Sequence, residues 1–282
     1  MNRYLKLVHM ELGRFRNIYL SLFALILLVQ MGGVWMKAQD LIQRAGKWHN
    51  GGLEAYLEYT AQAGKANFAD VMSNSLFFMA PVFLSASVLL LYIFMIWYRD
   101  WLFKQPFIYR LLMLPTQRYH LYFSKLSAIL IMFLGLVAFQ LLLLPLEIGL
   151  FQSLVPAELR ETISTGDFIR SQFMLQILLP SSFMSFVIYY GAGLLAVSVI
   201  FTAVLIERSY RLKGLAAGIL YVALSVFIVT CPILIPFLMW NTIIENYLYP
   251  MEIFILELIL GLIVGVISIW TGLFLIKRKV AV

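Results

Sequence analysis

Residues able to support catalysis or bind a metal are few and widely spaced in this sequence. The three histidines, His9, His49 and His120, have neither a carboxylate nor another histidine at metal-ligand spacing. The chain contains no H-E-x-x-H and no G-x-S-x-G, the motifs of zinc and serine hydrolases. It also lacks G-x-x-x-x-G-K-[ST], the loop whose backbone cradles nucleotide phosphates. We therefore expect a protein that is not itself an enzyme and binds neither metal nor cofactor.

One acidic residue, Glu257, lies within the last long apolar run. Glu257, Gly261, Gly265, Ser268 and Gly272 recur at helical spacing, so they share one helix face. The G-x-x-x-G of Gly261 and Gly265 permits close approach of a second helix. Two interpretations stay open: the face lines a substrate path with Glu257 turned into the bundle, or it is a packing face with Glu257 reaching the outer interface.

The fourth apolar run offers a second possible lining. Ser185 and Tyr189 follow each other at helical spacing, and Ala192 and Ala196 continue the same side. Side chains of this size and polarity can line a path for a cargo. They form a packing seam between helices equally well, so both interpretations are kept.

Composition decides the class of element that carries these residues. Of the 282 residues 62% are apolar and 12% are charged, whereas an average soluble domain has about 25% charged residues. A bilayer core of about 30 Å is spanned by roughly 20 apolar helical residues. Six runs meet that requirement, at approximately 17–35, 73–97, 126–144, 177–206, 215–240 and 252–276. We therefore predict an all-α integral membrane protein in which residues 1–282 form a single transmembrane domain.

The distribution of lysine and arginine predicts the orientation of the six spans. Fifteen of the 21 lysines and arginines fall on the side that holds both termini, and six fall on the other side. Because positive loops stay in the cytoplasm, both termini should be cytoplasmic. The net charge of +7 thus reports topology and attraction to anionic lipid, and we expect no nucleic acid as partner.

Residues 1–16 precede the first span and have an amphipathic pattern. Leu5, Val8, Leu12 and Phe15 recur at helical spacing, and basic residues occupy other positions on the wheel. This predicts a helix lying in the cytoplasmic interface, with its apolar face in lipid. The outer loops, about 36–72 and 148–176, are mixed in charge and predicted to be partly helical, with a short helix over 53–63.

The segment "FIYRLLMLPTQRYHLYFSKL", residues 107–126, lies between the second and third spans on the cytoplasmic side. It is too charged to cross a bilayer and too apolar for a solvated loop. Its leucines and Phe107 predict a short helix that ends near Pro115. Its aromatic, aliphatic and arginine side chains suit a protein–protein contact, although a helix resting on lipid headgroups has the same composition.

An acidic residue after the second span followed by "LLMLPTQRYHLYFSKL" resembles the loop of permease subunits in ATP-binding-cassette exporters of the second type. The positions that carry the resemblance are Asp100, Leu111, Leu112, Leu114, Pro115, Arg118 and Lys125. Gln105-Pro106 departs from the small or polar pair that many members have, which leaves the start of the helix open. Six spans, an amphipathic N-terminal helix and a length near 280 residues agree with the same family.

The resemblance implies that this segment contains a coupling helix that docks on a separate ATPase subunit. The residues expected in the docking region are Asp100, Phe107, Arg110, Leu111, Leu114, Pro115 and Arg118. It further implies two permease subunits, identical or paralogous, and two ATPase subunits that bind ATP and magnesium. The complex would move a hydrophobic or amphipathic cargo, such as a peptide, antibiotic or lipid-like molecule, across the plasma membrane of a bacterium by alternating access.

Two other functions remain compatible with the sequence. A secondary transporter has the same composition, but normally shows intramembrane charges or internal repeats, of which we find Glu257 and no repeat. A non-transporting membrane subunit, such as a sensor or immunity component, is the other alternative. Copurification of an ATPase would distinguish the exporter from the first of these, and transport with purified components from the second.

Overall fold

The computed structural model describes residues 3–47, 53–72, 75–102, 117–238 and 249–278. Six helical segments in this part of the chain are long and apolar enough to cross a membrane. The chain is therefore a multi-pass α-helical membrane protein, as predicted, while the orientation of its termini stays a prediction. The elements in chain order are α1 (Arg3–Gly46), α2 (Leu53–Ala63), β1 (Ala66–Asn67), α3 (Phe68–Met72), α4 (Leu76–Leu102), α5 (Tyr119–Leu154), β2 (Arg160–Glu161), α6 (Thr165–Ser171), α7 (Phe173–Leu178), α8 (Phe183–Leu238) and α9 (Pro250–Arg278).

The first helix is longer than predicted and has no break after residue 16. Its 44 residues correspond to about 66 Å at 1.5 Å per residue, roughly twice the thickness of a bilayer core. The helix predicted over 1–16 is thus the first part of α1 and not a separate element, and its place in the interface stays a prediction. Val8 and Phe15, two members of the predicted lipid face, are buried in protein, whereas Leu5 is half exposed. The amphipathic pattern is explained by packing of the helix on its own chain.

Two predicted spans, 177–206 and 215–240, fall in the single helical run α8. A Cβ placed on Gly218 would lie 2.9 Å from the carbonyl oxygen of Ala203, although a straight helix would separate residues 15 positions apart by about 22 Å. The run therefore turns back on itself, between the segments Phe183–Tyr210 and Lys213–Leu234. A Cβ placed on Gly214, next to the turn, would lie 2.5 Å from the carbonyl oxygen of Glu207. The fourth span begins at Phe183, since α7 ends just before Pro180.

The chain divides into two compact units, and the prediction that residues 1–282 form a single transmembrane domain stays a prediction. Unit 1 comprises Met1–Glu11, Leu90–Leu130 and Val187–Val282, and unit 2 comprises Leu12–Leu89 and Ile131–Phe186. Aromatic side chains fill the centre of unit 1: the ring of Phe201 lies 5.5 Å from Trp97 and 5.6 Å from Tyr122, edge-on to both. All three are almost completely buried.

Unit 2 contains both predicted outer loops, which are folded together. The helix over 53–63 is confirmed as α2. The chain departs from an all-helical fold where β1 pairs in parallel with β2, Ala66 opposite Arg160 and Asn67 opposite Glu161. Helices and strands share a hydrophobic cluster, which we call the outer core. Its buried members are Val34, Ala38, Leu41, Ala45, Phe68, Ala69, Met72, Phe78, Leu144, Ile148, Phe151, Val155, Leu159, Phe168 and Leu175.

Candidate functional site

Four charged side chains meet inside unit 1, and we call them the charge cluster: Glu11, Arg99, Asp100 and Lys125. Glu11 comes from the third turn of α1, Arg99 and Asp100 from the last turn of α4, and Lys125 from the second turn of α5. The exposed fraction of the side chain is 0% for Glu11 and Lys125, 1% for Asp100 and 16% for Arg99. The cluster joins three helices beside the two ends of the segment 103–116.

Lys125 is the centre of the charge cluster. Its Nζ donates to Glu11 Oε1 at 2.9 Å, to Asp100 Oδ2 at 2.5 Å and to the carbonyl oxygen of Ile96 at 2.9 Å. An ammonium group has three hydrogens to donate, so each has an acceptor. The same Nζ lies 5.1 Å from the centre of the Trp97 ring, a distance at which the ring face attracts a cation.

Arg99 binds the second oxygen of Glu11. Its Nη2 donates to Glu11 Oε2 at 2.7 Å and lies 3.4 Å from the hydroxyl of Tyr92. The Tyr92 hydroxyl in turn donates to the backbone carbonyl of Glu11 at 3.4 Å. One carboxylate of α1 is thus held by two cations, one from α4 and one from α5.

The balance of charge explains why this arrangement tolerates burial. Two carboxylates and two cations sum to zero, and each buried oxygen or hydrogen that bonds within the cluster repays part of the cost of leaving water. Removing one member leaves an uncompensated buried charge, which typically costs about 3–5 kcal/mol. The charge cluster is therefore a fixed joint, because any motion that separates these helices must expose or unpair its charges.

A second polar contact links α4 to α8 within unit 1. The hydroxyl of Tyr98 donates to the carboxylate of Glu207. The guanidinium of the next residue, Arg208, lies over the rings of Tyr98 and Trp101, with centroid distances of 4.6 and 5.6 Å. The last two turns of α4 thus contact α1, α5 and α8 through charged groups.

Arg118, predicted to dock an ATPase, binds the end of the last helix. Its Nη1 donates to the carbonyl oxygens of Ile276 and Lys277 at 3.0 and 3.1 Å. The last four carbonyls of a helix have no partner in the helix itself, and the C-terminus attracts a positive charge. Arg118 therefore fixes the beginning of α5 to the end of α9.

The remaining predicted docking residues fall into two groups. Asp100 is buried and paired with Lys125, so it does not lie on a surface where another protein can reach it. The others belong to the segment outside the described residues: Phe107, Arg110, Leu111, Leu114 and Pro115. Docking through this segment stays a prediction, and Asp100 is a buried partner of Lys125.

The face predicted on the last span makes close helix contacts. Ser268 is fully buried; its carbonyl accepts from Thr202 Oγ1 at 2.7 Å and its hydroxyl is 2.6 Å from that of Tyr221. A Cβ on Gly272 would lie 3.0 Å from the Tyr122 ring, and one on Gly261 would lie 3.5 Å from Leu195. These are the contacts of a packing face.

The other candidate lining residues are less enclosed. Gly265 and Glu257, on the same face as Gly261, are half-buried. In α8, Ser185 is half-buried, with its hydroxyl 2.8 Å from that of Ser182, and Tyr189 is 45% exposed. Ser185 belongs to unit 2 and Tyr189 to unit 1. The role of these two residues as a lining stays a prediction.

Sequence reasoning missed half of the charge cluster. Glu11 and Arg99 were not selected, and Asp100 and Lys125 entered only through the family resemblance. The signal that was available is a set of opposite charges at the ends of three apolar helices, on the side predicted to be cytoplasmic. No group of three or more histidine, cysteine, aspartate or glutamate residues suited to a metal occurs in the described part of the chain.

Comparison of the chain with protein-family models, with curated proteins and with solved structures finds no match. The function is therefore argued from the residues and contacts described above.

Proposed function

We propose that this chain is the membrane subunit of an ATP-driven exporter and that a separate ATPase subunit docks on the segment 103–116. The observation that carries the proposal is the charge cluster, which ties the helix before that segment, α4, and the helix after it, α5, to α1. Asp100 precedes it by three residues and Lys125 follows it by nine. A force applied to the segment acts on α4 and α5 at the positions where both are tied to α1.

The charge cluster suits a rigid contact through which motion of one helix is transmitted to the others. To change a conformational ratio from 1:99 to 99:1, ATP binding must favour one arrangement by about 5.5 kcal/mol. A joint between helices is useful only if separating its parts is similarly costly. A buried cluster in which removal of one charge typically costs about 3–5 kcal/mol meets this requirement, and a loose hydrophobic contact does not.

The proposed cycle is alternating access. Two ATPase subunits bind ATP and magnesium, close, and move the docked segments, and two copies or paralogues of the membrane subunit change their arrangement together. The spans contain few charges, which favours a hydrophobic or amphipathic cargo such as a peptide, an antibiotic or a lipid-like molecule. The plasma membrane of a bacterium is the location that the family resemblance favours.

A secondary transporter is the second candidate, and a specific observation favours it. Glu147, in the third span, is fully buried, and its carboxylate has no hydrogen-bond partner among the described residues. Intramembrane carboxylates of this kind are found in carriers driven by a proton or sodium gradient. In that case the chain would operate without an ATPase.

Purification from the native cell in a mild detergent decides between these two proposals. The exporter predicts a stoichiometric soluble subunit that contains a phosphate-binding loop, together with a second membrane subunit. A folded preparation of this chain alone would contradict the exporter. Dependence of transport on an ion gradient, tested with an ionophore, would then support the secondary transporter.

Substitutions in the segment 103–116 test where the ATPase docks. Leu114→Asp and Arg110→Asp should abolish recovery of the ATPase, because each replaces a contact residue by a repelling acid, while the yield of folded membrane subunit stays unchanged. Leu57→Asp is the matched control, since Leu57 is exposed on α2 in an outer loop. Normal recovery of the ATPase with both segment variants would show that docking occurs elsewhere.

A further inference from the structure

Glu147 is a carboxylate buried in apolar surroundings without a partner. Its side chain is 0% exposed, and neither Oε1 nor Oε2 has a hydrogen-bond partner among the described residues. It lies on the face of α5 formed by Leu144, Ile148 and Phe151, all members of the outer core. The structure places it in the interior of unit 2.

Among the residues that the structure describes in unit 2, two other oxygen atoms are buried without a partner, Oε1 of Gln30 and Oγ of Ser75. Both residues adjoin Phe78 of the outer core. Gln30 donates from Nε2 to the carbonyl of Phe78 at 3.3 Å, and the carbonyl of Ser75 accepts from the amide of Phe78 at 3.1 Å. Gln30 is also one turn before Val34 on the core-facing side of α1. Gln30 and Ser75 therefore adjoin the same outer core that Glu147 adjoins through Leu144 and Ile148.

The atoms without partners have a common chemistry. Four oxygens, two from Glu147 and one each from Gln30 and Ser75, lack a hydrogen-bond donor. The other buried polar atom without a partner in the described part of unit 2 is Nε2 of Gln140, two turns from Glu147 on α5. Carboxylate, amide carbonyl and hydroxyl oxygens are the ligands preferred by hard cations. An isolated carboxylate anion is very costly to bury, so a positive charge or a proton must accompany it.

We propose that Glu147, with Gln30 and Ser75, forms a binding site for one monovalent cation, a proton or an alkali metal ion. A single carboxylate supplies one negative charge, so a monovalent ion makes the site neutral. A divalent ion would leave an uncompensated positive charge in the apolar core. The site stands independently of the proposed function, because it can serve an exporter as a structural ion or a carrier as the coupling ion.

Charged groups on the neighbouring elements do not supply the missing charge. On α1, Lys37 and Asp40 are half-buried, and Asp40 pairs with Arg44 at 2.7 Å. Arg160 of β2 is held by the carbonyl of Gln152. Glu158, in the loop before β2, is half-buried, and the remaining charged residues of the predicted outer loops are exposed: Lys47, Glu54, Glu58, Lys65, Asp70, Glu161, Asp167 and Arg170. None of these residues is a hydrogen-bond partner of Glu147 in the described structure.

Thermal unfolding of the purified full-length chain tests the site. One titration replaces choline chloride by sodium or lithium chloride at constant ionic strength and pH, and a second lowers the pH at constant salt. An ion that binds the native state alone raises the unfolding midpoint as its concentration increases. We expect one titration to raise the midpoint of the wild-type chain, and the shift to be absent in Glu147→Gln, with Glu54→Gln behaving like the wild type.

The outcomes separate the two sources of charge. A rise with sodium or lithium at fixed pH identifies an alkali ion, and a rise with falling pH alone identifies a proton, since a proton released on unfolding stabilises more as pH falls. Equal shifts in the wild type and Glu147→Gln in both titrations would overturn the proposal. An ATPase is absent from this assay, so failure of the exporter proposal does not affect it.

Chemical labelling provides a second measurement if Glu147→Gln does not fold. Dicyclohexylcarbodiimide, an apolar reagent, adds to protonated carboxyl groups in apolar sites and leaves a stable acylurea that mass spectrometry locates. In membranes containing the wild-type chain we expect labelling of Glu147, with protection by sodium or lithium for an alkali site, or by raised pH for a proton site. Labelling unaffected by either, or no labelling of Glu147, would contradict the site.

Discussion

Glu11 and Glu147 are two fully buried glutamates of the same chain with opposite surroundings. Each side chain is 0% exposed. Both oxygens of Glu11 have cationic partners, Oε1 from Lys125 and Oε2 from Arg99, at 2.9 and 2.7 Å. Neither oxygen of Glu147 has a hydrogen-bond partner in the described part of the chain. Burial alone therefore does not indicate what a charged residue does in this protein.

The difference separates a structural role from a binding role. A carboxylate whose oxygens are both paired with cations of the chain is not available to a ligand. Its ion pairs stabilise the packing of the helices. A carboxylate that is buried without a partner is neutral only when something else supplies a positive charge. We accordingly assign Glu11 to a joint between α1, α4 and α5, and Glu147 to a site filled from outside the chain.

Lys125→Met should produce the largest loss of stability. The substitution keeps the approximate length of the side chain and leaves Glu11 and Asp100 close together without their shared cation. Leaving buried charges uncompensated typically costs about 3–5 kcal/mol, a large part of the stability of a domain. Unfolding by a denaturant in mixed micelles, with the fraction of folded chain as the readout, measures the change in the free energy of unfolding.

Lys65→Met is the matched control for this loss. Lys65 is exposed in the outer loop between α2 and β1, so its replacement should change the free energy of unfolding by less than about 0.5 kcal/mol. Equal stability of the Lys125→Met and Lys65→Met chains would mean that the charge cluster does not hold the three helices together.

One substitution made at both glutamates tests the comparison directly. Glu11→Gln leaves two cations with a single carboxylate, and we expect a loss of about 3 kcal/mol, the lower end of the cost of an uncompensated buried charge. Glu147→Gln replaces a group that is neutral when its site is filled, and it should change the free energy of unfolding by less than about 1 kcal/mol. The measurement is unfolding of both variants in the same micelles, and a larger loss at Glu147 than at Glu11 would reverse our assignment.

Helix content was predictable because apolar runs of this length have few alternatives in lipid. The six spans follow from hydropathy, and the short helix 53–63 follows from its flanking turn. Helix ends were less predictable. The interfacial pattern of Val8 and Phe15 also suits a face packed on protein, and a sequence does not distinguish lipid from protein as the apolar partner. The turn within α8 depends on the close approach of Gly218 to Ala203, which no local pattern announces.

Predicting the sites from sequence is harder, because they depend on which helices become neighbours. Glu11 and Lys125 are 114 positions apart, and their pairing is a property of the fold. Asp100 was selected as part of a docking motif, and the structure shows that it is buried and paired with Lys125. Glu147 lies near the end of an apolar run, where an interfacial carboxylate is the ordinary expectation, and the adjoining outer core is what removes it from water.

Arg99→Gln should cause the smallest loss of stability within the charge cluster. It measures how much each of the two cationic partners of Glu11 contributes to the free energy of unfolding. The guanidinium of Arg99 is 16% exposed, whereas Lys125 is 0% exposed, so water compensates part of the negative charge that the substitution leaves unbalanced. We expect a loss of about 1 kcal/mol, against less than about 0.5 kcal/mol for Arg44→Gln, which breaks an exposed pair with Asp40. Unfolding of Arg99→Gln, Arg44→Gln and Lys125→Met compares the loss of three ion pairs that differ in solvent exposure. A loss for Arg99→Gln as large as that for Lys125→Met would mean that the cluster depends on its total charge and not on the burial of each cation.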